Sequence, residues 1–341
     1  MKNSKIPCIK VSGAHQIELT TTEINNPLSN ETVVKVTRGG ICGSDIHYYQ
    51  EGGVGSFNLK HPMILGHEVV GYLENKKQAV AINPSKPCLQ CQYCLNGKSN
   101  QCLNMRFFGS AMLTPHVDGG FAKYILVRND QIIPYQDNIP SRVMVFAEPL
   151  AVAIHAVNQA GSLVGKKVLV TGCGPIGSLV VAACKQAGAI EIIASDIQEA
   201  CRKIGMKMGA TSTINPLEQN EHYFTDKGYF DVTFEASGAN EAINFAIDAT
   251  KATGTIIQIG MSKNNLSVPL TKFLAKEITY KGAFRFTDEF NIAVRWLELG
   301  LIDPLPLLSH EFPYQEVEKA LQIAGDKNVA IKVQLNFEEQ L

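Results

Sequence analysis

From Pro149 to Gly260 the sequence alternates between two rhythms. "PLAVAIHAVNQAG" repeats its apolar residues at helical spacing, with Pro at its first position and Gly just past its end. "KKVLVTG" is then a short, continuous apolar run, and "PIGSLVVAACKQAG" is helical again. "EIIAS", "EACRKIGMKMG", "YFDVTFEAS", "NEAINFAIDAT" and "GTIIQIG" carry the alternation on. Strands that recur with a helix between them predict a parallel sheet with helices on both faces. After "EITYKGAFRF" come a helix, "DEFNIAVRWLELG", a Pro-rich crossing, and a last helix and strand, "VEKALQIAG" and "AIKVQL".

The chain up to about Ala147 has a different texture. "ETVVKVT", "HEVVGYLE", "AVAINP" and "FAKYILV" are short strand-like runs closely separated by Gly and Pro. That pattern predicts an all-β, barrel-like domain. A length of 341 residues is long for one core, so two domains, one all-β and one α/β, are expected. No internal repeat and no low-complexity segment interrupts them.

Within the all-β part, "CLQCQYCLNGKSNQC" places Cys88, Cys91, Cys94 and Cys102 at spacing C-x2-C-x2-C-x7-C. Thiolates so spaced converge on one tetrahedral ion, and four sulfurs with no open position suit a structural zinc. An iron–sulfur cluster, which also takes four cysteines, is the competing reading. A closed site of this kind has no coordination position for water or substrate, so the chemistry is expected elsewhere.

The α/β half carries Gly172-x-Gly174-x-x-Gly177 between a buried strand and a helix, with Pro175 and Ile176 opening the helix. In that context the glycines permit a tight turn, close approach of a pyrophosphate and close helix–strand packing. The phosphates would face the helix N-terminus. Asp196 follows 19 residues after Gly177, at the end of the next strand. A carboxylate there accepts hydrogen bonds from the adenosine ribose and repels a 2′-phosphate, which favours NAD. Arg202, a few residues on, softens that preference and admits NADP.

A hydride cofactor needs a partner that polarises a carbonyl or alcohol. "GGICGSDIHYYQ" holds Cys42, Ser44, Asp45 and His47; "LGHEVVGY" holds His67 and Glu68; "FAEPLAVAIHA" holds Glu148. A thiolate, an imidazole and one or two carboxylates compose an open zinc site of catalytic type. Each alone also has a bland reading: Cys42 as a small buried hydrophobe, His67 and Glu68 as a polar strand pair, Glu148 as a favourable charge at a helix start.

Taken together, "GGICGSDIHYY", "GHEVVG", the four-cysteine lobe, "DGGFAKY", "EPLAVAIHA", "GCGPIG" and "KGAFRF" resemble the zinc-dependent medium-chain dehydrogenases, in the family's order and over essentially the entire chain. Glu in "GHE" and in "EPLA" resembles the polyol, sorbitol-like branch. "INPSKPC", "MRFFGSAM", "PHVDGGF", "GAFRFT" and "LIDPLPLLS" resemble its sugar-acid members, which interconvert L-idonate and 5-keto-D-gluconate. One departure stands out: "YLENKKQAVAINP", after "GHE", is shorter than the family's loop and lacks its further glycine and Gly-Asp pair. A trimmed surface turn is expected there, with no ligand lost.

The resemblance implies a GroES-like catalytic domain over 1–147 and 283–341, with the structural zinc lobe at 86–104, and a Rossmann NAD-binding domain over 148–282. It places the active site in the cleft between them. It implies two zinc ions per subunit, one catalytic and one structural. Cys42, His67 and Glu68 match ligands of the catalytic ion, Glu148 a position that ligates it or holds its water, and Asp45 a carboxylate behind the zinc histidine. Ser44 and His47 match a proton relay to solvent. Tyr48, Arg106 and Arg285 are the expected substrate contacts, since an arginine pairs a sugar-acid carboxylate bidentately. A sorbitol-, xylitol- or L-threonine-type dehydrogenase is the alternative within the family, and a non-enzymatic homologue is disfavoured by the retained Cys42, His67 and Glu68.

Other classes fall away on bulk properties. A net charge of -1, with no long run of one sign, gives no basic face for nucleic acid. The apolar runs are too short to span a bilayer. The start "MKNSKIPCIKV" has no apolar core of a secretion signal, so a cytoplasmic, reducing location is expected, where clustered cysteines serve as metal ligands. The family forms homodimers or homotetramers, and the strand near "ITYKGAFRF" is the expected place of intersubunit pairing.

Overall fold

The computed structural model describes residues 5–262 and 265–338. Residues 1–4, which open the stretch "MKNSKIPCIKV", lie outside the described residues. The chain divides into two compact units: one comprises the chain up to Glu148, Phe290–Leu299 and everything from Leu308 on; the other comprises Pro149–Glu289 and Gly300–Leu307.

The first unit is the expected all-β, GroES-like fold. Its main sheet has seven strands. Glu31–Gly40 is the hub, pairing antiparallel with Glu68–Leu73, Tyr124–Arg128 and Lys332–Asn336. Gln78–Ile82 and Ile132–Pro134 extend one side, and Leu308–Pro313 runs parallel to Lys332–Asn336 on the other. Alternation in "TVVKVT" buries Val34 and Val36 and leaves Lys35 exposed, so one face seals a core of Ile9, Met63, Leu65, Val69, Val80 and Phe121.

Register decides what the hub strand brings together. Gly40, at its end, lies opposite Glu68 on one side and opposite Gln334 on the other. Lys332 precedes Gln334 by two residues and shares its face of the strand.

The second unit is the expected parallel sheet. Six strands run in the order Ser212–Ile214, Glu191–Ser195, Lys167–Thr171, Phe230–Glu235, Thr250–Gln258, Thr279–Gly282, and every pairing is parallel. Outward steps in both directions from Lys167–Thr171 define a doubly wound, Rossmann-type sheet, whose ligands lie at the carboxyl ends of the strands where the order reverses. "KVLVT" is buried from Val168 on because helices cover both faces. Among the described residues no helix is long and apolar enough to cross a membrane.

Candidate active site and metal centres

Two chain segments that are distant in sequence supply the first cluster. Cys42 caps the helix Gly43–Glu51, just after the hub strand, and His67 immediately precedes the strand Glu68–Leu73. The Gly40–Glu68 pairing makes these two segments neighbours. One donor atom each from Cys42, His67 and Glu68 lies within 4.8 Å of the others. Room for the carboxylate comes from Gly40, where a Cβ would collide with Glu68 Oε2.

Asp45, fully buried, clamps both segments through the main chain. Its Oδ2 accepts the Cys42 N–H at 2.9 Å, and its Oδ1 accepts the Gly66 N–H at 3.1 Å. The first bond is the reach-back half of a helix capping box. Burial pushes the Asp45 carboxyl up, while His67 and these N–H donors oppose that. Asp45 thus supports the histidine by fixing the backbone beside it.

Lys332 is the residue that sequence reasoning missed. Its Nζ lies 2.6 Å from Glu68 Oε1 and 2.5 Å from Oε2, with both side chains buried. The approach to Oε2 is poorly directed for a hydrogen bond, so that oxygen keeps unspent acceptor capacity away from water. The signal in the sequence was a lone lysine inside the apolar strand "AIKVQL". Burial works against the Lys332 ammonium, but Glu68, Cys42 and Glu148 outweigh it and hold its pKa above the ordinary value.

Glu148 stands at the start of the helix Ala147–Gln159, buried and close enough to respond to the cluster. Burial pushes its carboxyl up to about 8; His67 pulls the other way, and Glu68 and Cys42 add to the rise. Burial, then Glu68, pushes the Cys42 thiol up to about 11. Cys42, Glu68 and Glu148 crowd one lysine, Lys332, which leaves the cluster short of positive charge. A divalent ion fits that deficit, the thiolate–imidazole–carboxylate donor set and the unspent oxygen of Glu68.

The second cluster is local. The Sγ atoms of Cys88, Cys91, Cys94 and Cys102 lie within 4.8 Å of one another. Cys102 Sγ accepts the backbone N–H of Cys88 and of Asn104. Backbone N–H groups of Cys94 and Leu103 draw the Cys91 thiol down to about 6, while the Cys94 thiol is pushed up to about 12 by burial and its sulfur neighbours. N–H groups aimed at sulfur favour thiolates, the form a metal needs. Four sulfurs and no oxygen or nitrogen fit a closed zinc site.

Residues 29–137 match the family described as alcohol dehydrogenase GroES-like domain, and residues 175–298 the family described as zinc-binding dehydrogenase. The chain is 50% identical, over 96% of its length and 97% of the relative's, to L-idonate 5-dehydrogenase (NAD(P)(+)) of Escherichia coli strain K12. The chain belongs to the zinc-binding dehydrogenases. The crystal structure of the Escherichia coli L-idonate 5-dehydrogenase superposes with a TM-score of 0.95 at 49% identity, covering 98% of this chain and 99% of that one. Sorbitol dehydrogenase 1 of Saccharomyces cerevisiae is 33% identical over 90% of this chain and 89% of its own.

The glycine loop of this zinc-binding dehydrogenase joins the strand Lys167–Thr171 to the helix Pro175–Gln186, with Gly174 as cap and Pro175 at the first position. A Cβ at Gly177 would collide with the Gly172 carbonyl, so the helix can approach the turn only with glycine there. Asp196 Oδ2 accepts the Cys173 N–H and its Oδ1 the Gln198 N–H, each at 2.8 Å. Arg202 donates to the carbonyls of Asp196 and Ile197, at 2.7 and 3.0 Å. Its guanidinium is therefore engaged with the turn itself. Ile176, next to Pro175, lies in the first turn of that helix.

The remaining expected residues are placed as follows. Ser44 and His47 lie on the helix Gly43–Glu51, both half-buried, with His47 Nδ1 at 3.0 Å from Glu51 Oε1. Tyr48, on the same helix, is buried in the core, and its hydroxyl oxygen accepts the Ala111 N–H. Arg106 is exposed in a short strand beside the cysteine lobe. Arg285, half-buried in the second unit, has φ +56° and its guanidinium 4.8 Å from the Phe284 ring centroid.

Proposed function

We propose that this enzyme transfers hydride between NAD(P) and a secondary alcohol of a sugar acid, interconverting L-idonate and 5-keto-D-gluconate. The Cys42–His67–Glu68 trio carries the chemistry of that reading, and the sugar acid is the substrate in the name of the half-identical Escherichia coli relative. A zinc ion held by Cys42, His67 and Glu68 supplies a Lewis acid for the substrate oxygen, and NAD supplies the hydride acceptor. Lys332 and Glu148 set the charge around that oxygen. Glu148 stands beside the trio as a carboxyl that takes or returns a proton, and Ser44 and His47 continue the path along one helix towards Glu51 and solvent. Arg285 pairs with the sugar-acid carboxylate. The four-cysteine lobe holds the second zinc for structure.

Asp196 selects NAD through the ribose, with NADP as the weaker alternative. The cysteine-rich lobe suits a reducing cytoplasm. A homodimer or larger homo-oligomer forms through the outer strand Thr279–Gly282, whose four residues are all exposed. Tyr280→Pro would block pairing there, and light scattering should then report a smaller species.

A neutral-polyol dehydrogenase is the second reading, favoured by the 33% identity to sorbitol dehydrogenase 1. A panel of L-idonate, D-gluconate, sorbitol, xylitol and L-threonine with NAD separates the two. Highest kcat/KM on L-idonate is expected; turnover of neutral polyols alone would overturn the sugar-acid reading.

A further inference from the structure

Arg285 adopts the left-handed backbone conformation, φ +56°. For a non-glycine residue with a long side chain this conformation is strained and persists only where the surroundings impose it. The turn is pinned on both sides of Arg285. Upstream, the Ala283 N–H donates to the Gln258 carbonyl at 2.8 Å. Downstream, the Thr287 N–H and Oγ1–H both donate to Glu289 Oε2, at 2.7 and 3.0 Å, and Phe286 is buried.

Glu289 is in turn fixed from the helix Ala147–Gln159. His155 Nδ1–H and Asn158 Nδ2–H both donate to its Oε1, at 3.0 and 3.1 Å. The pair is closed to solvent, with side chains 7% and 8% exposed. The Glu289 carboxylate accepts only, so His155 Nδ1 carries the proton between them, and Nε2 lies 3.4 Å from Gln159 Nε2. One carboxylate thus takes four donors, two on each oxygen, and couples a helix to a turn 134 residues away in sequence.

We propose that His155, Asn158 and Glu289 form a positioning device that holds Arg285 in its left-handed turn so that its guanidinium meets the substrate carboxylate bidentately. A fork of two parallel N–H···O bonds demands a fixed direction, and the flexible arginine side chain supplies none unless its backbone is fixed. Helix capping alone would need one short polar side chain and no buried histidine. The device rests on the sugar-acid reading and on Arg285 as the residue that meets the carboxylate.

The test uses the zinc-loaded enzyme and separates KM from kcat. Glu289→Gln, His155→Ala and Asn158→Ala should each raise the KM for L-idonate, by about tenfold for the first. The KM for NAD and the rate with saturating neutral polyol should stay within about twofold. His155→Asn, which keeps a donor near the place of Nδ1, should restore the L-idonate KM. Arg285→Ala should raise that KM as well, and adding Glu289→Gln to it should change nothing further. Arg285→Ala with a raised KM beside brace variants of wild-type KM would overturn the device alone. Arg285→Ala with a wild-type KM would overturn both the carboxylate role and the device. If Glu289→Gln fails to fold, Asn158→Ala and the His155→Ala/Asn pair carry the same comparison.

Discussion

Lys332 Nζ sits 2.6 Å from Glu68 Oε1, an ion pair closed off from water inside the first unit. The two residues are 264 positions apart and meet because Gly40 pairs with both of their strands. Such a pair gains little over an apolar pair, but removing one partner strands a buried charge. Lys332→Met should therefore destabilise the metal-free protein by about 3–5 kcal/mol. Lys332→Met/Glu68→Gln should recover most of that loss. With zinc added, the single variant should regain stability, since the ion compensates Glu68. Urea midpoints with and without chelator check all three, and an unchanged midpoint in the metal-free single variant would refute the pairing.

Gly40 has no side chain because Glu68 occupies the space. Gly40→Ala should cost about 1–3 kcal/mol through overpacking and displace the carboxylate. The expected signature is loss of one zinc per chain by metal analysis, with the other retained.

The two metal clusters should separate on mutation. The wild type should hold two zinc ions. Cys42→Ala should hold one, keep its fold and NAD binding, and lose turnover; Cys91→Ala should hold one, unfold at lower temperature and fail in assembly. The reverse pattern would exchange the roles of the two sites.

Acid stability tests the His155–Glu289 pair independently of activity. Burial works against the Glu289 carboxylate, but the bonds from His155, Thr287 and Asn158 prevail and hold its pKa down to about 2. A depressed carboxyl contributes stability that is fully present above its unfolded value of 4.5 and is lost as pH falls through about 2. Glu289→Gln should thus be less stable than wild type at pH 6, and the difference should shrink as pH falls between those limits. Denaturation midpoints measured down that range would show a constant gap if the carboxylate contributes nothing.

Asp196 braces the glycine loop through the Cys173 N–H, and the proposed ribose contact would use the same carboxylate. Asp196→Ala should raise the kcat/KM ratio of NADP to NAD by about tenfold and lower both values, because the loop loses a clamp. A ratio unchanged by the substitution would remove Asp196 from cofactor selection.

The sequence was most legible where the physics is local. Strand–helix alternation announced the parallel sheet, and four cysteines within one short loop announced their own convergence. Cys42, His67 and Glu68 were legible only through the order of surrounding motifs, because separation in sequence says nothing of proximity. Lys332 was not legible at all: strand periodicity assigns a face but not the neighbour across it. Nothing within "RGG" marks Gly40, since its reason lies in a carboxylate from another strand. His155 and Glu289 each looked unremarkable in its own helix, and only tertiary packing reveals the bond between them.

The Gly40–Glu68 register has one more consequence. Both segments that carry the Cys42–His67–Glu68 cluster leave the sheet at a single rung of the ladder, and Asp45 latches them to each other just above it. The chain from residue 46 to 65 leaves and returns beside the Cys42–His67–Glu68 cluster, and none of its residues belongs to that cluster. The exposed tip of that excursion, residues 55–58, can therefore be lengthened or rewritten while the buried residues on either side hold the cluster in place, which makes the tip a natural plug-in for new substrates.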